Sequence, residues 1–239
     1  AAFRAMTSEG FPDPDFVAGH SLGEYSALVA AGSINLTDAV KTVRKRGEYM
    51  QQAVPVGVGA MAGILGLSVS DVEEGCKEAA QDEICGPANI NSPSQIVIAG
   101  NEAAVERACE ILKARGAKRA IKLDVSAPFH CGLMLPAQER LEKDLLKIEF
   151  ADLRFPIVEN VSAELNINGS RVREALTLQV SSPVRWSDSI LNLIGKGVET
   201  FVEVGAGKVL SGLVRQINRD VRCLNVENKD SLQSTLENL

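Results

Sequence analysis

Residues 19–23 form a Gly-X-Ser-X-Gly motif centred on Ser21. An apolar run precedes the motif and a helical apolar pattern follows at once, which is the strand–turn–helix context of a nucleophile elbow. Glycines on both sides of the serine leave room for a substrate to approach its hydroxyl. The following helix points its first N–H groups toward the place where an oxyanion would form. A glycine-rich turn without chemistry is the alternative, but the flanking pattern favours Ser21 as a catalytic nucleophile.

A serine hydroxyl needs a base within hydrogen-bonding distance before it can attack. The chain has two histidines. His20 adjoins Ser21 in the turn, where neighbouring side chains diverge, so we interpret it as a packing or polar-network residue. His130 follows a predicted strand, in the kind of loop where α/β catalytic groups gather. By elimination, His130 is the predicted base. The group that orients its imidazole could be Asp124, Asp188 or a backbone carbonyl.

A basic cluster at residues 44–46 lies on the second helix after the motif, for which Thr37 is the predicted N-cap. Such a cluster is usually a solvated helix face, and this is the interpretation that the residues alone favour. The alternative is that Arg46 turns inward and holds a carboxylate in a bidentate pair.

The composition excludes several classes of function. The 239 residues are 45% hydrophobic and carry a net charge of −6 with no basic stripe, so a nucleic-acid partner is not expected. Five cysteines without Cys-X-X-Cys spacing indicate buried free thiols in the cytoplasm, with neither a disulfide frame nor a metal site. No apolar stretch is long enough to span a bilayer, so we expect no membrane association.

The order of predicted elements indicates two subdomains of an α/β protein. Residues 57–126 have the order β-α-β-β-α-β, which predicts a small ferredoxin-like subdomain. Residues 1–56 and 127–239 predict a larger, hydrolase-like subdomain with a parallel sheet, into which the small one is inserted. Elbow strands normally lie inside such a sheet, but only residues 1–15 precede this one. We therefore expect that the N-terminal part of the larger subdomain is missing.

Several segments together resemble the malonyl-CoA:acyl-carrier-protein transacylases of fatty-acid synthesis. They correspond to that family's serine motif, arginine helix, central hairpin, histidine loop, Gln-X-X-X-Pro-Val-X-Trp segment and closing glycine turn. In this chain they are residues 19–28, 46–51, 89–100, 126–134, 179–186 and 203–210. Their shared order along the chain makes the combination far more specific than any single motif.

The resemblance implies an [acyl-carrier-protein] S-malonyltransferase. Ser21 would take a malonyl group from coenzyme A as an ester and pass it to the phosphopantetheine thiol of acyl carrier protein, in ping-pong fashion. His130 would be general base and acid, and Gln179 would orient His130 through its main-chain carbonyl. The coenzyme A thioester is a substrate, and no permanently bound cofactor is implied. We expect a monomer whose partners are malonyl-CoA and acyl carrier protein.

The resemblance also implies substrate-binding residues. Arg46 would pair with the free malonyl carboxylate, and the Leu22 N–H would be one oxyanion donor. His20, Asn91 and Phe129 complete the implied set, and the bulky Phe129 is typical of malonyl-selective members. The family's Gly-Gln-Gly-Ser-Gln-like segment, whose glutamine gives a second oxyanion contact, has no counterpart here, in line with the expected N-terminal incompleteness.

Two other functions stay open at this point. A serine thioesterase or hydrolase would need only the elbow and a base, with water as the acceptor. A non-catalytic fragment that binds carrier protein is the other alternative, suggested by the absent N-terminal segment.

Overall fold

The computed structural model describes all 239 residues, whose ten α-helices and eight strands form a mixed α/β fold. The helices are α1 (Ala2–Ser8), α2 (Leu22–Ala30), α3 (Leu36–Gln52), α4 (Val69–Ala80), α5 (Glu102–Ala114), α6 (Leu135–Leu145), α7 (Gly169–Gln179), α8 (Trp186–Gly195), α9 (Val209–Ile217) and α10 (Lys229–Asn238). The strands are β1 (Gly59–Leu65), β2 (Cys85–Ser92), β3 (Gln95–Asn101), β4 (Arg119–Lys122), β5 (Ile157–Val158), β6 (Leu165–Asn166), β7 (Thr200–Val204) and β8 (Arg222–Val226).

The first four strands form an antiparallel sheet in the order β2-β3-β1-β4. Side chains alternate between the two faces of a strand, so each face can carry its own apolar set. Helices α4 and α5 cover one face, and the core between them and the sheet includes Ile64, Val72, Ile98, Val105 and Leu112. Burial of these side chains holds the two helices on the sheet.

The opposite face of this sheet packs against the loop that carries His130. Met61 and Val97 form a second buried cluster with Cys131, and Phe129 packs against its edge. The residues on both sides of His130 are thus anchored in apolar contacts. The small sheet therefore fixes where the histidine lies.

The largest apolar core lies among α2, α3, α6 and α7. It contains Leu28, Met50, Leu141 and Leu176, and Ile157 of β5 joins them. Ser21 precedes α2, Arg46 lies on α3 and Gln179 ends α7. One core consequently holds the three elements from which these side chains project.

A third cluster packs α8 and α9 against the parallel pair β7-β8. The chain just before α8 also pairs with the edge strand β2 of the small sheet. Val184 donates its N–H to the carbonyl of Ala88, and Ile90 donates to the carbonyl of Val184, both at 2.9 Å. These two backbone bonds tie the small sheet to the remainder of the molecule.

Several elements differ from the sequence-based expectations. The strand expected before the motif is a single parallel bridge between Val17 and Ile157, because the backbone turns at once into the elbow. The N-cap of α3 is Asn35 and not Thr37: Asn35 Oδ1 accepts from the Asp38 N–H at 2.9 Å. The sequence reading also missed α10, which begins with a capping box at Asn228.

All five cysteines are free, but only Cys76 and Cys131 are buried. The other three are partly exposed, so the expectation of five buried thiols is wrong for them. The structure contains no group of three or more side chains arranged to hold a metal ion. None of its helices has the length and apolar character that crossing a membrane requires.

The backbone around Ser21 depends on a close approach between the turn and α2. Ser21 itself has φ 52° and ψ −107°, a conformation that L-residues rarely adopt. A Cβ on Gly19 would lie 2.0 Å from both the carbonyl carbon and the carbonyl oxygen of Gly23. Only glycine fits at position 19, whereas a Cβ on Gly23 would meet no atom within 4 Å.

Gly19→Ala should therefore destabilise the protein strongly, and Gly23→Ala should not. The added methyl at position 19 meets backbone that cannot move away, at a cost of about 3 kcal/mol or more. At position 23, inside α2, alanine should stabilise the helix by about 0.5–1 kcal/mol. Urea denaturation of the two variants measures both changes. Equal stability of the two variants would contradict this account of the turn.

Candidate active site

Ser21 and His130 lie within hydrogen-bonding distance although 109 positions separate them in the chain. The distance from Ser21 Oγ to His130 Nε2 is 2.8 Å. Both residues have positive φ, 52° for Ser21 and 60° for His130. Strained backbone of this kind persists only where the surrounding structure holds it, and it is typical of catalytic positions.

The orienting group of His130 is a backbone carbonyl. Its Nδ1 lies 2.8 Å from the main-chain oxygen of Gln179. Since a carbonyl only accepts, Nδ1 carries the proton and the Nε2 lone pair faces the serine hydroxyl. Neither aspartate considered from the sequence is involved: Asp188 pairs with Arg185 at 2.8 Å, and Asp124 is exposed.

Burial, and secondarily the nearby Arg46 charge, lower the pKa of His130 to about 3. The imidazole is therefore neutral at ordinary pH. A neutral imidazole whose Nε2 lone pair points at a hydroxyl can act as a general base.

Arg46 turns inward to the same serine. Its Nη2 donates to Ser21 Oγ at 2.9 Å and to Gln179 Oε1 at 3.0 Å. The solvated-face interpretation is therefore wrong for Arg46, although its neighbours Arg44 and Lys45 do pair at the surface with Glu48 and Asp144. Successive residues of a helix point about 100° apart, so three adjacent basic residues cannot share one environment.

Arg46 is only 7% exposed, and its guanidinium forms no ion pair with a carboxylate within 4 Å. Its Nε has no hydrogen-bond partner, and its Cζ lies 5.9 Å from the centre of the Tyr25 ring. A buried cation without a neutralising partner is energetically costly. The site is therefore suited to a ligand that brings a carboxylate to within reach of the serine.

Asn160 and Glu24 are polar residues of the site that the sequence reading missed. Asn160 Oδ1 accepts from the Ser21 N–H at 2.7 Å, and its Nδ2 donates to the Gly19 carbonyl at 2.7 Å. Glu24 Oε2 accepts from Gln179 Nε2 at 2.6 Å. Asn160 lies two residues after β5, and its position just past the end of a strand was the available signal for it.

The remaining predicted residues surround this centre without touching Ser21 Oγ. Leu22 begins α2, so its N–H belongs to the first turn, where no intrahelical acceptor exists. His20 Nε2 bonds to Asn91 Oδ1 at 2.9 Å, and its ring lies 5.6 Å from that of Trp186. Phe129 packs between two apolar clusters beside the histidine. His20 therefore has the contacts expected of a residue in a polar network, its interpretation from the sequence.

Comparison with known proteins finds relatives that match nearly the whole chain. A family model described as acyl transferase domain matches residues 1–232. The malonyl CoA-acyl carrier protein transacylase of Escherichia coli K12 is 46% identical over 237 residues, which is 99% of this chain and 77% of that protein. The Bacillus subtilis transacylase is 48% identical over 227 residues, covering 95% of this chain and 72% of that protein.

Solved structures are similar along almost the whole chain. An acyl carrier protein S-malonyltransferase from Vibrio cholerae superposes with a TM-score of 0.96 at 44% identity, over 98% of this chain and 76% of that one. The chain belongs to the malonyl CoA-acyl carrier protein transacylase family. The family resemblance stated from the sequence motifs is thus confirmed.

Another transacylase of this family was solved in complex with a type II PKS acyl-carrier protein. It superposes with a TM-score of 0.97 at 44% identity, over the full length of this chain and 77% of that one. A member of the transacylase family needs a nucleophile that can be acylated and released again. Ser21, with a base on one side and a cation on the other, has the contacts that such a cycle requires.

The low pKa of His130 gives a pH prediction for the free protein. Because only protonation disables a general base, and this imidazole resists protonation, the reactivity of Ser21 should stay nearly constant from pH 8 to pH 5. The rate of labelling by a fluorophosphonate probe measures it. His130→Ala should label about 10²-fold more slowly or worse at every pH. A loss of labelling centred near pH 6.5 would contradict the buried, neutral imidazole.

Proposed function

We propose that this protein transfers a malonyl group from coenzyme A to acyl carrier protein through an ester on Ser21. One observation carries the proposal: a single hydroxyl oxygen, Ser21 Oγ, lies 2.8 Å from His130 Nε2 and 2.9 Å from Arg46 Nη2. The first contact supplies a base for the attack. The second places a cation beside the acyl group, and the family assignment supports malonyl as that group.

In the first half-reaction, His130 Nε2 takes the hydroxyl proton as Ser21 Oγ attacks the thioester carbonyl. The carbonyl electrons form an oxyanion, toward which the Leu22 N–H at the start of α2 can donate. Collapse of this intermediate breaks the carbon–sulfur bond, and the imidazolium returns its proton to the departing coenzyme A thiol. The second half runs in reverse: the phosphopantetheine thiol gives its proton to His130 as its sulfur attacks the ester carbonyl. When the carbon–Oγ bond breaks, the imidazolium returns the proton to Ser21 Oγ.

Arg46 gives the selectivity in this account. The free carboxylate of a malonyl group can replace the missing ion-pair partner of the guanidinium, whereas an acetyl group leaves that buried charge unpaired. The guanidinium has a planar array of donors suited to bidentate binding of a carboxylate. Malonyl is thus favoured both by a new attraction and by the cost of binding the wrong acyl group.

The strand order supports a finer proposal about the architecture. Residues 57–126 form a small ferredoxin-like subdomain, because β2-β3-β1-β4 is the antiparallel order of that unit and two helices cover one face. Residues 1–56 and 127–239 form a larger, hydrolase-like subdomain around the elbow. The site lies between them, since the sheet anchors His130 and the larger core anchors Ser21 and Arg46.

The proposal also covers the partners of the protein and the compartment in which it acts. Its partners are malonyl-CoA and acyl carrier protein. The coenzyme A thioester is a substrate, and the protein holds no permanently bound cofactor. The protein acts as a monomer. Five free cysteines support a reducing compartment, the cytoplasm.

Mass spectrometry tests the proposal directly. Incubation with malonyl-CoA should add one malonyl group to a peptide that contains Ser21, and holo acyl carrier protein should then remove it. Ser21→Ala should form no adduct. Absence of an adduct on Ser21 would overturn the proposal. An adduct that water discharges as fast as carrier protein does would identify a thioesterase instead.

Arg46→Ala should lose malonyl transfer while acetyl transfer stays the same or rises. Removing one partner of a buried, charge-assisted pair costs about 2–5 kcal/mol, which is a loss of roughly 30-fold to 5,000-fold. Transfer rates with malonyl-CoA and acetyl-CoA measure the change. Arg44→Ala is the matched control, because Arg44 is exposed and pairs with Glu48 at the surface. Unchanged acyl preference in Arg46→Ala would remove Arg46 from the acyl site.

A further inference from the structure

The side-chain amide of Gln179 lies at the centre of a buried network that the proposed mechanism does not use. Gln179 is fully buried. Its Oε1 accepts from Arg46 Nη2 at 3.0 Å, and its Nε2 donates to the Ser21 carbonyl at 2.9 Å and to Glu24 Oε2 at 2.6 Å. The same residue thus holds the histidine with its main chain and the arginine with its side chain.

These partners decide which way the amide faces. A guanidinium can only donate, so the atom beside Arg46 has to be the amide oxygen. The Ser21 carbonyl and the Glu24 carboxyl can both accept, so the atom beside them has to be the nitrogen. If the amide were reversed, its NH₂ group would face the N–H donors of Arg46. Its oxygen would face the oxygens of Ser21 and Glu24.

Glu24 supplies the shorter of the two strong bonds on the nitrogen side. Its side chain is buried on the first turn of α2, one turn from the nucleophile. Burial raises the pKa of Glu24 to about 8. Its carboxyl presents an oxygen that can accept from Gln179 in either protonation state.

We propose that Glu24 is a positioning residue for acyl selectivity, which fixes the Gln179 amide and through it the Arg46 guanidinium beside Ser21 Oγ. This inference rests on the proposed function. Glu24 does not touch the reacting atoms, and its shortest contact is the 2.6 Å bond from Gln179 Nε2, while the Asn160 N–H lies farther away, 3.4 Å from Glu24 Oε1. The consequence is specific: loss of Glu24 should weaken the recognition of a carboxylate more than the chemistry at the serine.

Glu24→Leu tests the proposal because leucine fills similar space and offers no acceptor. The ratio of malonyl to acetyl transfer should fall about tenfold, the loss expected for one unsatisfied buried hydrogen-bonding group. The KM for malonyl-CoA should rise while kcat for acetyl-CoA changes less than threefold. Glu24→Gln keeps one oxygen acceptor and should restore the ratio to within about threefold of the natural protein. A merely structural role would lower both transfers together and leave the ratio unchanged.

Glu159→Leu is the matched control. Glu159 is also buried and lies near Glu24, but its carboxyl contacts Ser162 and Arg171 and not Gln179. The substitution should leave the acyl ratio unchanged, with rates normalised to folded protein by active-site titration. A fall as large as that of Glu24→Leu would overturn the proposal, because the effect would then be general to buried carboxyls in this region.

Gln179→Met keeps the test decisive if Glu24→Leu does not fold. This substitution removes the side-chain amide that joins Glu24 to Arg46. It leaves the main-chain carbonyl that accepts from His130. A comparable fall in the acyl ratio supports the proposal, and an unchanged ratio overturns it. Failure of the proposed function itself is distinguishable, because then the natural protein would form no malonyl ester on Ser21.

Discussion

Asn160 holds the turn of Ser21 from both sides, and the other contacts of the site depend on that turn. Its side-chain oxygen accepts from the Ser21 N–H and its nitrogen donates to the Gly19 carbonyl, each at 2.7 Å. These two bonds satisfy backbone groups that the tight turn leaves without helix or strand partners. The close approach that only Gly19 permits completes the constraint. The serine is thereby held at positive φ with its hydroxyl toward both His130 and Arg46.

The site gathers residues from four separate elements, which two apolar cores hold in place. The turn before α2, the helix α3 and the end of α7 share the large core, while the histidine loop is anchored on the small sheet. Gln179 connects the two sides because its main chain bonds to His130 and its side chain to Arg46. This arrangement explains how a neutral base and an unpaired cation can both lie within 3 Å of one oxygen.

How much the sequence could predict follows from the range of each interaction. The elbow is a local pattern, so Ser21 was predictable from residues 19–28, and His130 followed by elimination. The small sheet was predictable because its strands and helices alternate at short spacing. Arg46 was different: charge clustering favoured a solvated face, and only the family motifs indicated its inward orientation. Asn160 and Glu24 act through contacts with residues more than 100 positions away, which no local pattern encodes.

The central claim is that one site binds the ester and the free carboxylate of the same malonyl group. A crystal structure of the protein acylated on Ser21 with malonyl-CoA measures this directly. The account predicts that the free malonyl carboxylate lies within about 3 Å of the Arg46 guanidinium nitrogens, the range of a charge-assisted hydrogen bond. A carboxylate that points to solvent, with Arg46 still bonded only to Gln179 and Ser21, would contradict it.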